Sequence, residues 1–146
     1  KNDQEDLIRF RELSKYVSDK DDSWNHIYLY PFRTYYFEDI DELMNFDPDF
    51  ETQLIGIMMG VVEFLRPKVV IIADTNVVNV LENRKLIMGY NSYEIEGDVD
   101  YTHFANLGFG SIPLYPTCKL NGENAMDRGS FELLKKSVKR TLSSNR

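Results

Sequence analysis

Hydrophobic residues recur along the chain with two periods, and they predict helices that alternate with short buried strands. Five stretches have helical spacing: 6–17, 38–44, 50–65, a helix that begins at Val77, and a last helix that begins near Ser130. Ser130 can cap this last helix, and its predicted buried stripe is Phe131, Leu134, Val138 and Leu142. Three apolar runs have strand composition: 27–31, 69–73 and 112–115. Between these elements, 85–88 and 93–95 favour a hairpin, and the glycine-rich stretch 101–110 favours a loop.

The clearest pattern runs from Asp47 to Leu81. Asp47 is a favourable N-cap, and Pro48 suits the first helical position because it has no N–H to lose there. Arg66 precedes a proline and therefore ends the helix. Seven apolar positions predict its buried face: Phe50, Leu54, Ile57, Met58, Val61, Phe64 and Leu65.

The unbroken apolar run 69–73 indicates a strand that is covered on both faces, as in a parallel sheet. Ligands of such sheets bind beyond the carboxyl ends of the strands. We therefore expect the three strand ends, at 31–34, 74–76 and 115–118, to line one rim. The fold class predicted is α/β, as a single domain over 1–146 with a mostly parallel sheet.

Composition limits the classes of function. The chain has 146 residues, 42% of them hydrophobic, and no apolar run approaches the length of a membrane span. A single cysteine, Cys118, excludes an internal disulfide and favours a cytoplasmic, intracellular protein. No secretory signal pattern opens the chain, and no membrane partner is expected. It begins at Lys1 rather than at Met, which predicts a fold truncated at its N-terminus.

The charge is unevenly distributed. A net charge of −7 opposes a broad electrostatic grip on nucleic acid. Basic residues are nevertheless concentrated after Lys119. That basic end permits local contact with phosphate, or it is a solvated helix face. The acidic remainder fits a surface that meets a protein partner.

Asp74-Thr75-Asn76 follows a buried strand and resembles the opening of a PIN-type nuclease, in which such an aspartate holds a divalent metal. That resemblance implies a metal-dependent nuclease that uses Asp74. The alternative is that Asp74 or Thr75 caps the next helix. We favour the cap, and no metal is predicted otherwise.

The histidines and the cysteine show no zinc spacing. Cys118 and His103 remain open as a nucleophilic pair, because such residues meet only in the fold. The Gly108–Pro113 stretch lacks the lysine of a phosphate-binding loop and precedes a strand. No cofactor is predicted.

The order of three features resembles the uracil-DNA glycosylase superfamily. These are the strand and loop 27–34, the helix and strand of 50–73 with their Arg-Pro-Lys step, and Tyr115-Pro116-Thr117 leading into 118–122. The resemblance implies a three-layer α/β/α sandwich and a DNA-repair protein that flips a damaged base, hydrolysing its N-glycosidic bond if active. The family's first motif has no counterpart before His26, and Tyr115 replaces the usual histidine, so catalysis is left open and no catalytic residue is assigned.

The resemblance also implies DNA as a partner and assigns candidate contacts. Leu120 would be an apolar wedge, Thr117 would pinch phosphates, and Tyr115 or Phe32 would stack on a base. Three basic residues, Arg33, Lys119 and Arg128, would meet phosphates, and Asn121 belongs to the same loop. Two alternatives stand beside this function: a non-enzymatic protein-interaction domain with an acidic surface, and the nuclease that uses Asp74.

Overall fold

The computed structural model describes residues 8–18, 25, 29, 37–88, 101–105, 107–108, 110–122 and 124–144, without the side chains of 37–41. Within them the elements follow in the order α1 (Ile8–Val17), α2 (Phe37–Phe46), α3 (Pro48–Leu65), β1 (Val70–Ala73), α4 (Thr75–Asn83), β2 (Thr102–His103), β3 (Pro113–Thr117) and α5 (Arg128–Ser144). Contacts divide the chain into two compact units: a helical unit, Asn25–Arg66, and an α/β unit that comprises Lys1–Trp24 and Pro67–Arg146.

The ends of α3 are set by local chemistry, as its sequence predicts. The Asp47 carboxylate accepts a hydrogen bond from the Phe50 N–H at 3.3 Å, and Pro48 occupies the first turn. At the other end Arg66 adopts the left-handed conformation (φ 45°), and its N–H donates to the Val62 carbonyl at 2.9 Å. The acidic stretch 38–44 is likewise helical, as part of α2.

The predicted buried face of α3 is largely wrong. The residues that are buried are Leu54, Ile55 and Val62, whereas Ile57, Phe64 and Leu65 are exposed. This helix is apolar around most of its circumference, so its periodicity does not select one face to bury.

The described sheet has three strands, with β3 between β1 and β2. β1 and β3 are parallel, with Val70 opposite Leu114 and Ala73 opposite Thr117, which confirms the strands predicted at 69–73 and 112–115. β2 pairs antiparallel with β3, so the sheet is mixed rather than mostly parallel, and the loop predicted over 101–110 is wrong at 102–103.

Two other predicted strand regions are only partly described. In 27–31 only Leu29 belongs to the described residues, and it lies in a bend rather than in a strand. In the expected hairpin, Ile87 forms an antiparallel bridge with Phe104 instead, and 93–95 lies outside the described residues.

One core cluster of the α/β unit joins the sheet to α1 and α5. Its buried residues come from these two helices, from β3, from the residue before β1 and from the loop after β3: Leu13, Val69, Tyr115, Leu120, Phe131, Leu134 and Val138. The predicted stripe of α5 is confirmed, since Phe131, Leu134 and Val138 are buried and Leu142 packs against them. Its cap is Asp127 rather than Ser130, because the Asp127 carboxylate accepts from the Ser130 N–H at 2.8 Å.

The helices of the described residues are all too short or too polar to cross a membrane.

Candidate functional site

Two of the three strand ends predicted to form a rim lie side by side. Ala73 and Thr117 are paired in the parallel register of β1 and β3, so Asp74 and Cys118 follow at the same edge of the sheet. The third predicted tip, 31–34, which includes the candidate contacts Phe32 and Arg33, lies outside the described residues. The described part of the predicted rim is therefore the edge at which β1 and β3 end, which we call the mouth of the sheet.

Asp74 caps α4. Its backbone is extended, its carboxylate accepts a hydrogen bond from the Asn76 N–H at 2.8 Å, and its carbonyl accepts from the Val78 N–H at 3.1 Å. The bond from Asn76 satisfies an N–H group that a helix start otherwise leaves unpaired, and the bond from Val78 is the first one of the helix. In the part of the chain that the structure describes, no three His, Cys, Asp or Glu side chains come together in a way that could hold a metal ion.

Tyr115 is a core residue, so its predicted stacking on a base is wrong. Its side chain is 0% exposed in the central strand. Its hydroxyl is 2.6 Å from Thr141 Oγ1 and 3.2 Å from Ser137 Oγ, and it donates to the Ser137 carbonyl at 3.2 Å. A ring enclosed on both faces and bonded at its tip cannot meet a ligand without opening the core.

Leu120 is also buried, at 2% exposure, and belongs to the same core cluster. A wedge that enters DNA must project from the surface before it binds. The wedge role predicted for Leu120 is therefore wrong, and removing this side chain would test packing rather than recognition.

The remaining predicted contacts surround the mouth but are mostly engaged within the protein. The Thr117 hydroxyl reaches the carbonyls of Ile72 at 3.2 Å and Cys118 at 3.0 Å. The half-buried Asn121 accepts from the Arg9 N–H at 3.2 Å, which ties its loop to α1. Lys119 is exposed.

Arg128 belongs to an ion network that joins α1 to α5. Its guanidinium contacts both Glu12 and Glu132, the latter at 2.9 Å. The nearly buried Lys135 ammonium donates to Glu12 at 3.0 Å and lies 5.3 Å from the Phe131 ring centroid. Hydrogen bonds from Arg128 and then Lys135 lower the pKa of Glu12 from 4.5 to about 2. Arg128 thus holds two helices together.

The open pairing of Cys118 with His103 is excluded by the topology. His103 is opposite Pro113 at the start of β3, whereas Cys118 follows the end of that strand. Five residues of strand separate those positions, which is roughly 16 Å. The two side chains are too far apart for proton transfer.

The helical unit carries a surface that sequence periodicity missed. Phe46 is 88% exposed, Phe64 84% and Ile57 66%. Ile57 and Phe64 are seven residues apart and therefore share one face of α3. The stretch 37–65 also holds eight of the chain's 24 acidic residues and none of its 17 basic ones. Two features of the sequence could have indicated this surface. The apolar residues of α3 cover more of the helix than one buried stripe needs, and every charged residue in 37–65 is acidic.

No family model, curated protein or solved structure matches this chain. Function must therefore be argued from its surfaces. Among the described residues, the mouth of β1 and β3 and the acidic apolar face of α3 are the two that bear on the predicted functions.

Proposed function

We propose that this chain is a protein-interaction domain, and that its helical unit binds a basic, amphipathic helix of a partner protein. The observation that carries the proposal is the exposure of Phe46, Ile57 and Phe64 on helices without a single basic residue. We call the exposed side of α3 that contains Ile57, Phe64 and Leu65 the open face.

Exposed apolar side chains are common singly, but large aromatic residues grouped together indicate a binding surface. Among the described residues, the large hydrophobic residues with high exposure are mostly in α2 and α3: Leu43, Phe46, Ile57, Phe64 and Leu65. Aromatic side chains of this kind are frequent anchors in interfaces. An amphipathic helix laid along the open face would cover Ile57, Phe64 and Leu65 at helical spacing.

The charge of the helical unit selects the partner. Asp47, Asp49 and Glu63 are exposed on α3 or at its start, with no lysine or arginine between 37 and 65. A second copy that met this one through the same face would bring like charges together, which costs interaction energy. A partner with lysine or arginine beside its apolar stripe would instead gain complementary contacts and a faster association.

Two glycines on α3 support a close approach by the partner. A Cβ atom added at Gly56 or Gly60 would meet no other atom within 4 Å, so no contact inside the protein requires a glycine there. Glycine inside a helix costs roughly 0.5–1 kcal/mol relative to alanine. A partner backbone packed closely beside Ile57 would give both positions a physical reason to be glycine.

The test is a titration with two designed 20-residue helical peptides, one with leucine and lysine at helical spacing and one with glutamate in place of every lysine. We expect the basic peptide to bind, with amide shifts concentrated in α2 and α3. Phe64→Ala should weaken that binding by roughly tenfold or more, because a central aromatic anchor is worth about 2 kcal/mol. Higher salt should also weaken it.

Met88→Ala is the matched control, because Met88 is exposed but belongs to the α/β unit. It should leave peptide affinity unchanged. Equal binding of the acidic peptide, or shifts that miss α3, would overturn the proposal. Sedimentation of the chain alone tests whether a second copy occupies the open face. Dimerisation that is lost in Phe64→Ala would assign the open face to that second copy.

A base-recognising role in DNA remains a second proposal, and the pairing of Ala73 with Thr117 supports it because it forms the expected mouth. Among the described residues, the candidate DNA contacts that remain near the mouth are Thr117, Lys119 and Asn121. With one exposed cation among them, affinity should be low and strongly dependent on salt.

The experiment for this second role is binding to duplexes that contain uracil or an abasic site, at several salt concentrations. Lys119→Ala should weaken binding and reduce the salt slope by about one. Lys136→Ala, another exposed lysine, is the control. Equal binding to damaged and intact duplex would reject base recognition. A complete lack of DNA binding would reject it too and would leave the peptide result unaffected.

The finer fold assignment, a three-layer α/β/α sandwich, is proposed for the α/β unit alone. Side chains alternate between the two faces of a strand, and Tyr115 of β3 packs with α5, so the adjacent Leu114 points to the opposite face of the sheet. In addition, α4 contacts both β1 and β3. The cytoplasmic location stays a prediction from the single Cys118.

A further inference from the structure

A cavity of about 350 Å³ opens at the amino ends of β1 and β3, the opposite edge from the predicted rim. Its lining comprises Pro67, Lys68, Tyr101, His103, Ser111, Ile112 and Pro113, all within the α/β unit. Its volume lies in the range of small-molecule sites, which is roughly 300–1,000 Å³. Neither the interaction surface nor the mouth of the sheet uses this cavity.

The polar side chains around the cavity can all donate hydrogen bonds. Lys68 contributes an ammonium, Tyr101 and Ser111 contribute hydroxyls, and His103 contributes an imidazole. Within the described part of the chain none of these four side chains makes a hydrogen bond or an ion pair, and no carboxylate lines the cavity. A cationic lining with several unused donors favours an anion with several acceptor oxygens.

The cavity also offers a flat apolar platform. The Tyr101 ring contacts two other rings, with its centroid 5.4 Å from that of His103 and 5.7 Å from that of Tyr115. It is nevertheless 45% exposed, so one part of the ring remains accessible. Pro67, Ile112 and Pro113 add apolar wall around it. Such a surface suits the organic body of a ligand.

The geometry points to a binding site for a small organic phosphate monoester in this cavity. The phosphate group meets Lys68 and Ser111, and its planar or apolar body lies against Tyr101. Tetrahedral phosphate presents more acceptors than a carboxylate does, which matches four donors better. His103 lies in β2 and Tyr101 directly precedes that strand, and both side chains line the cavity.

The probe is phenyl phosphate, titrated while the ring signals of His103 and Tyr101 are followed by NMR. We expect both sets of signals to shift together with a single dissociation constant. Lys68→Ala should weaken binding by about fivefold or more, since it removes a charged hydrogen bond. Lys68 and Ser111 are exposed, so their substitution should leave the fold intact.

The control variant is Lys136→Ala, which removes an exposed lysine from α5 and should leave the affinity unchanged. Inorganic phosphate should bind more weakly than phenyl phosphate, because it cannot use the Tyr101 platform. Benzoate that binds as tightly as phenyl phosphate would overturn the phosphate assignment. Unmoved ring signals at millimolar probe, or an equal loss in Lys68→Ala and Lys136→Ala, would overturn the site itself.

Discussion

The two longest helices, α3 with 18 residues and α5 with 17, use their apolar residues in opposite ways. On α5 the apolar residues form one stripe, which is buried against α1 and the sheet. On α3 they occupy two faces, of which one is buried and the other exposed. The difference shows that hydrophobic content alone does not decide burial; the number of faces that the fold can cover does.

Charge follows the same division. α5 carries lysines and arginines beside its stripe, and Lys135 is drawn into the packed side by Glu12 and Glu132. α3 has only acidic charges: Asp49 and Glu63 are exposed, and Glu51 is half-buried. The Arg128 and Lys135 cations of α5 are thus paired within the chain, whereas the Asp49 and Glu63 carboxylates of α3 are exposed.

The largest effect expected is the contrast between two phenylalanine truncations. Phe131→Ala empties a fully buried position in the α/β core and should cost about 3–5 kcal/mol. Phe64→Ala removes an exposed ring from α3 and should change stability by less than about 0.5 kcal/mol. Hydrogen exchange of amides in α5 and α3 measures each unit separately.

Phe64 and Phe131 thus serve as each other's control. Equal losses of stability for the two variants would mean that the open face is covered within the chain. The interaction proposal would then lose its main support, whatever the peptide titration gave.

A second contrast uses two tyrosines of the α/β unit. Tyr115→Phe removes a buried hydroxyl and leaves Thr141 and Ser137 without that partner, so we expect a loss of about 1–3 kcal/mol. Tyr101→Phe removes an exposed hydroxyl and should be nearly neutral. Urea denaturation followed by near-ultraviolet circular dichroism measures both. A neutral Tyr115→Phe would contradict its role as a bonded core residue.

Sequence was sufficient where a short-range rule decides the structure. The start of α3 follows from Asp47 and Pro48, its end from Arg66, and the strand β1 from an unbroken apolar run. Asp74 is a cap for the same local reason. The stripe of α5 was visible because the helix has one apolar side.

Sequence was insufficient where a distant contact decides. The resemblance to the glycosylase superfamily implies that Tyr115 stacks on a base, but Thr141, 26 residues later, satisfies its hydroxyl inside the core. The strand 102–103 exists only through its pairing with β3. The cavity at Lys68 and His103 likewise joins segments that are far apart in the chain, so no local pattern announces it.

A smaller difference in stability is expected between glycine-to-alanine substitutions in α3 and in α5. Gly60→Ala should stabilise α3 by roughly 0.5–1 kcal/mol, because it lowers the entropy of the unfolded chain and meets no atom within 4 Å. The same change should weaken binding of the basic peptide. Gly129→Ala is the control on α5; its Cβ would lie 3.1 Å from Asp127 Oδ1, the capping group, so it should gain little. Stabilised α3 with undiminished peptide binding would remove the glycines from the interface.

The smallest effect expected is the pH dependence of the network between α1 and α5. The pKa of Glu12 is lowered from 4.5 to about 2, so this carboxylate stabilises the fold above pH 4.5 and loses that contribution as the pH falls towards 2. The effect should be smaller than the loss of the Tyr115 hydroxyl, because water reaches Glu12 and weakens its ion pairs. Glu12→Gln should make the free energy of unfolding depend less on pH in that window. In a protein that already carries Arg128→Gln, adding Glu12→Gln should change this pH dependence less, because the strongest cause of the pKa shift is already gone. Unchanged slopes in both backgrounds would show that the network does not join the two helices in solution.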